Sequence, residues 1–344
     1  QGACLAFLTL PCVAIYALHR TPRMRPLLWA LAAALGALPI LAEHLWDEHV
    51  PSGTDGHLAR FFVASAFSFA VFRAVEGAWG TIPPAATTSF QEFHLYYTSA
   101  VDPRYADARA VTPPPGALLR RFGDVCARMA GLGLLASVAL PRGSSLLDAA
   151  TARWPPLLAR CAASLAGTTF LWLFLAWCFD LAALPLLAQR HEAIRAFDNP
   201  VFGSASPKDF WGRRWNRQVN GMLRRVAFLP LSPSLGTSAA AVVTFAVSAA
   251  FHEYQFVISF PRYRLGRISA FFAINSAITF AQTALSRALQ RLPAGRRLVE
   301  SLPSRARNAL TIACMVPFAH LFINIWDEHG MLDAIGRLVP TVRC

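Results

Sequence analysis

Charge is what this 344-residue chain has least of. Charged side chains make up 15% of it, where a soluble globular chain carries about 25%. With 55% of the residues hydrophobic and gathered in long runs, the shortage excludes an ordinary soluble domain. Acids are the scarcer sign, 19 Asp and Glu against 32 Lys and Arg. In a soluble protein that excess would point to nucleic acid. No basic domain stands outside the apolar runs, so nucleic acid is not an expected partner, and the arginines between runs read as the positive-inside signal. There is no Cys-x-x-Cys pair. The seven cysteines (Cys4, Cys12, Cys126, Cys161, Cys178, Cys314 and Cys344) lie mostly in or beside apolar runs, as small buried hydrophobes rather than a disulfide frame or a zinc site. A short-period repeat, a second domain and a basic n-region with a cleavage site are also missing. The chain opens at Gln1, so its start is expected to be trimmed, and Gly2–Leu18 is expected to be a span rather than a signal peptide.

What is present is a series of apolar runs: Gly2–Leu18, Leu27–Ala42, Phe61–Phe72, Met129–Leu140, Cys161–Ala188, Leu235–Phe260, Ile268–Ser286 and Ala309–Trp326. They predict an all-α polytopic membrane protein with about eight transmembrane helices. Phe61–Phe72 is too short to cross about 30 Å of hydrocarbon, so its flanks must extend it and hold Arg73 and Glu76 near the membrane edge. Cys161–Ala188 is long, interrupted by Asp180, and must tilt or kink at Pro185. Pro83–Arg128 reads as a polar stretch holding an interfacial helix around Phe90–Tyr97. Loops 19–26, 102–128, 189–225 and 287–308 are rich in arginine and fall on one side. That bias predicts a cytoplasmic 189–225, with Arg262, Arg264 and Arg267 as the exception. Trp46-Asp47-Glu48-His49 recurs as Trp326-Asp327-Glu328-His329. Two interfacial helix ends anchored by tryptophan explain this echo better than a metal site, so no metal is expected.

The chemistry-bearing stretch runs from Pro207 to Glu253. Ser206 can cap a helix that Pro207 opens, with Asp209 three residues beyond the cap, so Phe210–Arg225 is predicted to be helical. Trp211, Trp215 and Gln218 would share one face, with Arg213, Arg217 and Arg224 near another. Those arginines suit lipid phosphate in an interfacial helix, or the phosphates of an anionic substrate such as coenzyme A. Asn216 could donate to a carbonyl or an oxyanion. His252 follows the seventeen uncharged residues Leu235–Phe251, roughly 22 Å along a helix from Thr237. An ionisable group that deep costs on the order of 3 kcal/mol and by default marks a site. The other reading is a histidine that bridges two helices. An apolar surrounding favours the neutral imidazole that a general base needs. On a helix Glu253 points elsewhere, and Ser248 is the better placed local partner. Asp180 and His320 read as packing or helix-bridging groups.

Asp198-Asn199-Pro200-Val201-Phe202-Gly203, then Phe210-Trp211-Gly212-Arg213-Arg214-Trp215-Asn216, then Phe251-His252-Glu253 resembles the plant-type wax synthase branch of the membrane-bound O-acyltransferase superfamily. His252 stands 36 positions after Asn216, the kind of separation such enzymes show. The resemblance covers roughly residues 190–330. It implies one membrane-embedded domain over 1–344 with a central tunnel, resident in the endoplasmic reticulum. It also implies transfer of a fatty acyl group from acyl-CoA to a long-chain alcohol, with His252 as base and Asn216 as its companion. Acyl-CoA would meet Trp211, Arg213, Arg214, Trp215 and Arg217, with Ser248 and Glu253 in support and no cofactor. Sterol, diacylglycerol or a small hydroxyl compound would be reached by the same chemistry. A lipid or solute transporter that makes no ester, and a non-catalytic protein of the same fold, are the readings from other classes.

Overall fold

A computed structural model describes residues 2–41, 53–107, 109–140, 145–260 and 262–341. In chain order the helices are α1 (Gly2–His19), α2 (Pro26–Leu41), α3 (Thr54–Trp79), α4 (Phe90–Thr98), α5 (Ala117–Ala139), α6 (Leu146–Thr151), α7 (Pro156–Ala188), α8 (Pro200–Gly203), α9 (Pro207–Asp209), α10 (Arg217–Leu223), α11 (Leu229–Ser259), α12 (Arg267–Gln290), α13 (Pro293–Ser301), α14 (Ser304–Glu328) and α15 (Met331–Arg337). The strands are a two-residue antiparallel pair, Tyr105–Ala106 with Arg109–Ala110. Among the described residues, six helical stretches are long and apolar enough to cross a membrane: α3, α5, α7, Arg217–Ser259 (shared by α10 and α11), α12 and α14. Thr9–His19 and Pro26–Leu41 are shorter apolar helices. The described part of each of the eight runs read from the sequence lies largely in a helix, Ala42 falling outside the described residues, and the chain is an all-α integral membrane protein.

The boundaries moved where charges found partners. Phe61–Phe72 grew into the 26-residue α3, entered from Gly53 at φ 83° and closed by Gly80 at φ 72°, whose N–H reaches the Glu76 and Gly77 carbonyls. Left-handed glycine is the usual helix stop. Met129–Leu140 begins earlier than expected, at Ala117, so the polar loop is shorter than the sequence implied. The charges in that first turn are tolerated because Arg121 Nη1 donates to Asp180 Oδ1 of α7 at 3.0 Å, both side chains buried. The expected interfacial helix is α4, capped by Ser89, whose Oγ accepts the Glu92 N–H. Trp46–His49 lies outside the described residues. Of its echo, Trp326 is buried, Glu328 pairs with Arg267, and His329 Nδ1 bonds the Ile325 carbonyl.

The chain divides into two compact units interleaved in sequence. One comprises Gln1–Gly123, Phe179–Ile194 and Gly221–Arg264. In it α3 packs on α2 and α11, around a core that includes Cys12, Ile15, Leu28, Ala74, Phe93 and Tyr96. The same unit buries a charge cluster. Arg73 donates to Glu76 (3.2 Å) and to Asp102, while Arg225 donates to Glu76 (2.8 Å) and Asp102 (2.7 Å). Tyr96 donates its hydroxyl to Glu76, and the Arg73 guanidinium lies 3.7 Å from its ring centroid. Two cations and two carboxylates cancel, which is what lets them stay out of water. Burial holds the Tyr96 phenol well above its usual range, against the pull of Arg73, so it serves as a neutral donor.

The other unit comprises Asp124–Cys178, Arg195–Asn220 and Leu265–Cys344. Here α12 packs on α13 and α14. Asn308 Nδ2 donates to the Val201 and Ser204 carbonyls at 3.0 and 3.1 Å, tying α14 to α8.

Candidate active site

Residues 195–220 belong to the second unit, and the helix start expected at Ser206 is present. Ser206 Oγ accepts the Asp209 N–H at 3.0 Å, Pro207 occupies the first turn, and Asp209 Oδ2 accepts from the Ala205 N–H. Burial pushes the Asp209 carboxyl up, but the Ala205 N–H and the Arg214 and Arg213 charges outweigh it and hold it below the usual carboxylate range.

The single helix predicted over Phe210–Arg225 is broken in the structure. Phe210–Arg214 winds as a π-helix, the chain opens at Trp215 and Asn216, and α10 starts afresh at Arg217. A second π-turn, Arg224–Phe228, comes after it. The break has a local cause. Asn216 sits at φ 37°, a region asparagine tolerates better than most residues. Its Oδ1 accepts the Val219 N–H at 3.2 Å, which makes Asn216 the cap of α10. With the oxygen so engaged, the amide NH2 is the part of the side chain that does not serve the cap.

The break also redistributes the other candidates. Trp211 and Trp215 enter an aromatic cluster. Trp215 stacks on Phe210 (5.2 Å, 18°) and meets Phe197 edge-on, and Trp211 meets Phe271 and Phe272 of α12. Arg214 is held by Asp209 (Nε to Oδ2, 2.7 Å) and by the Asp198 carbonyl (3.1 Å). Arg213 and Arg217 stay exposed, with Arg213 3.8 Å from Asp209.

His252, Ser248 and Glu253 belong to the first unit, on α11. Gly236 (φ 78°, ψ 160°) interrupts that helix, so its continuous part begins at Thr237 and carries His252 deep along its length. His252 Nδ1 lies 2.7 Å from the Ser248 carbonyl. A carbonyl only accepts, so Nδ1 is the donor in this bond, and in the neutral ring Nε2 is then the acceptor nitrogen. The serine therefore acts through its main chain, not its hydroxyl. His19 and His329 make the same bond one turn back, and His320 bonds the Pro317 carbonyl, so the bond alone does not single out His252.

Its neighbours do. The three residues after it each reach a different element: Glu253 accepts the Tyr263 hydroxyl (2.7 Å), Tyr254 donates to the Gly36 carbonyl of α2 (3.0 Å), and Gln255 donates to Ser65 Oγ of α3 (2.8 Å). Phe251 sets its ring against the imidazole at 4.7 Å and packs on Phe72. Tyr254 and Gln255 were not among the residues expected from the sequence; a polar pair in an apolar run was the available signal. Asp180 bridges helices, as expected of it.

Among known proteins, the model of the membrane bound O-acyl transferase family matches residues 195–274, which hold every residue of the candidate site. An acyl-CoA–sterol O-acyltransferase 1 of Arabidopsis thaliana is 31% identical over 187 residues, 46% of this chain and 50% of that protein. From the same plant, "probable long-chain-alcohol O-fatty-acyltransferase 2" is 29% identical over 134 residues, 37% of each chain. Number 9 of that series is 30% identical over 146 residues, 39% of this chain and 41% of its own. The chain thus spans half or less of the length of these relatives. Residues 195–274 match the membrane bound O-acyl transferase family, and the chain is similar in part to plant proteins named as long-chain-alcohol and sterol acyltransferases.

Proposed function

We propose that the protein transfers a fatty acyl group from acyl-CoA to the hydroxyl of a long-chain alcohol, forming a wax ester. The observation that carries the reading is the position of His252 in the family-matched segment with its Nδ1 held at the Ser248 carbonyl, an orientation in which Nε2 is the nitrogen that would act as base. In the proposed step Nε2 takes the alcohol proton as the alcohol oxygen attacks the thioester carbon. The carbonyl oxygen gains charge and accepts from the Asn216 amide, then the carbon–sulfur bond breaks and the coenzyme A thiolate recovers the proton from His252. Such a transfer uses a base and donors; it calls for no metal, cofactor or protein nucleophile. Exposed Arg213 and Arg217 would receive the coenzyme A phosphates from the cytoplasmic side of the endoplasmic reticulum. Arg214, already held by Asp209, and the clustered Trp211 and Trp215 would instead shape the segment. A tunnel among the spans would hold the acyl chain away from water.

A sterol acceptor is the second reading, because the sterol acyltransferase relative matches over more of its length than the two alcohol acyltransferases quoted. The test is labelled acyl-CoA with a mixed panel of fatty alcohols, sterols and diacylglycerol, products identified by mass spectrometry. Wax esters are expected from the wild type and none from a folded His252→Ala variant. Near-normal turnover in that variant would remove the base assignment, and no ester with any acceptor would favour a transporter.

A further inference from the structure

The helix α13 occupies the short connection between α12 and α14, both long and apolar enough to cross a membrane, which puts it at a membrane face. At 100° per residue, Arg296, Arg297, Glu300 and Ser301 share one side, and Ala294, Gly295, Leu298 and Val299 the other. Gly295 is buried where α13 folds back on the end of α12. A Cβ there would come within 2.4 Å of the Leu289 carbonyl oxygen, so the close approach requires glycine. Leu292, which caps this docked helix, and Leu298 on it are 59% and 56% exposed. Around them Arg287, Arg291, Arg296, Arg297 and Arg305 are exposed, and Glu300 is the one acid between positions 287 and 305. Among the described residues none of the five arginines has a carboxylate partner; Arg296 folds over the Gln290 carbonyl.

Arginines in a loop would satisfy the positive-inside rule without any of this order. An amphipathic helix, fixed by a glycine and carrying bare leucines beside unpaired guanidinium groups, asks for a surface that is apolar below and anionic above. We propose that α13 and its arginine flanks bind anionic phospholipid headgroups of the leaflet they face. Leu292 and Leu298 would enter the acyl boundary, and Arg291, Arg296, Arg297 and Arg305 would take headgroup phosphate and carboxylate oxygens in forked pairs. The proposal is independent of the acyl-transfer reading.

The experiment is native mass spectrometry of the full chain released from nanodiscs holding equal phosphatidylserine and phosphatidylcholine. The wild type should retain phosphatidylserine preferentially, less so at high salt. The R291Q/R296Q/R297Q/R305Q variant should lose that preference by about tenfold or more with its melting temperature unchanged. Should the fourfold change unfold the chain, R291Q/R297Q carries the same expectation at reduced size. Equal retention of both lipids by the wild type, or a preference that survives the substitutions, would overturn the proposal. So would displacement of the bound phosphatidylserine by free coenzyme A, which would make the arginines a soluble-phosphate site.

Discussion

Asn216 holds two loads at once, and a single substitution can separate them. Its Oδ1 caps α10 through the Val219 N–H, and the proposed chemistry draws on its NH2. Aspartate keeps the acceptor and tolerates φ 37° but has no amide to donate. Asn216→Asp should therefore keep the thermal stability of the wild type while turnover falls by roughly 10²-fold or more, the scale of a lost oxyanion donor. Asn216→Ala should lose both, with a further stability cost of about 1 kcal/mol for the cap. Full activity in the aspartate variant, measured as ester formed per mole of folded protein, would leave Asn216 only a structural part. Residue identities at this site were legible in the sequence because they are anomalous there: a histidine after seventeen uncharged positions, and tryptophans alternating with arginines. Their partners were not. That Arg214 belongs to Asp209 and Asp198, and that Ser248 serves through its carbonyl, are matters of backbone path.

Elements were legible to the extent that hydropathy defines them. The described parts of all eight apolar runs became helices, and the cap at Ser206 was readable from its side chain, whereas that at Ser89 was not singled out. Two π-turns were not, since one extra residue in a turn leaves the apolar pattern nearly unchanged. The early start of α5 was hidden for a different reason: Arg120, Arg121 and Asp124 look like loop until Asp180, 59 positions after Arg121, supplies the partner. That pair gives the element-scale prediction. Both side chains are buried, so Asp180→Ala leaves a guanidinium uncompensated and should cost about 3–5 kcal/mol, read as a fall in melting temperature. Replacing both by apolar residues, Arg121→Met with Asp180→Leu, should recover most of that loss. Equal destabilisation by the single and double changes would mean that packing, not charge, holds α5 to α7.

For the whole molecule, sidedness decides which loops could meet the acyl-CoA of the proposed reaction. Arginine-rich segments 189–225 and 287–308 are expected on the cytoplasmic side and the tail from Asp327 on the other. In a background with the native cysteines replaced, Arg213→Cys and Arg305→Cys should both react with a membrane-impermeant maleimide applied to sealed microsomes, while Arg337→Cys should react only after permeabilisation. The reverse pattern would place the coenzyme A phosphates on the wrong face for Arg213 and Arg217.

The neutral cluster of Arg73, Glu76, Asp102 and Arg225 sets a timetable for synthesis. As the ribosome delivers α3, Arg73 and Glu76 emerge three positions apart and can enter the bilayer as a local pair. Asp102 then adds a second negative charge, and Arg225, 149 positions after Glu76, restores the balance only once α10 has been made. Until then the cluster carries one surplus carboxylate, a cost that ends with the arrival of the segment leading into α11.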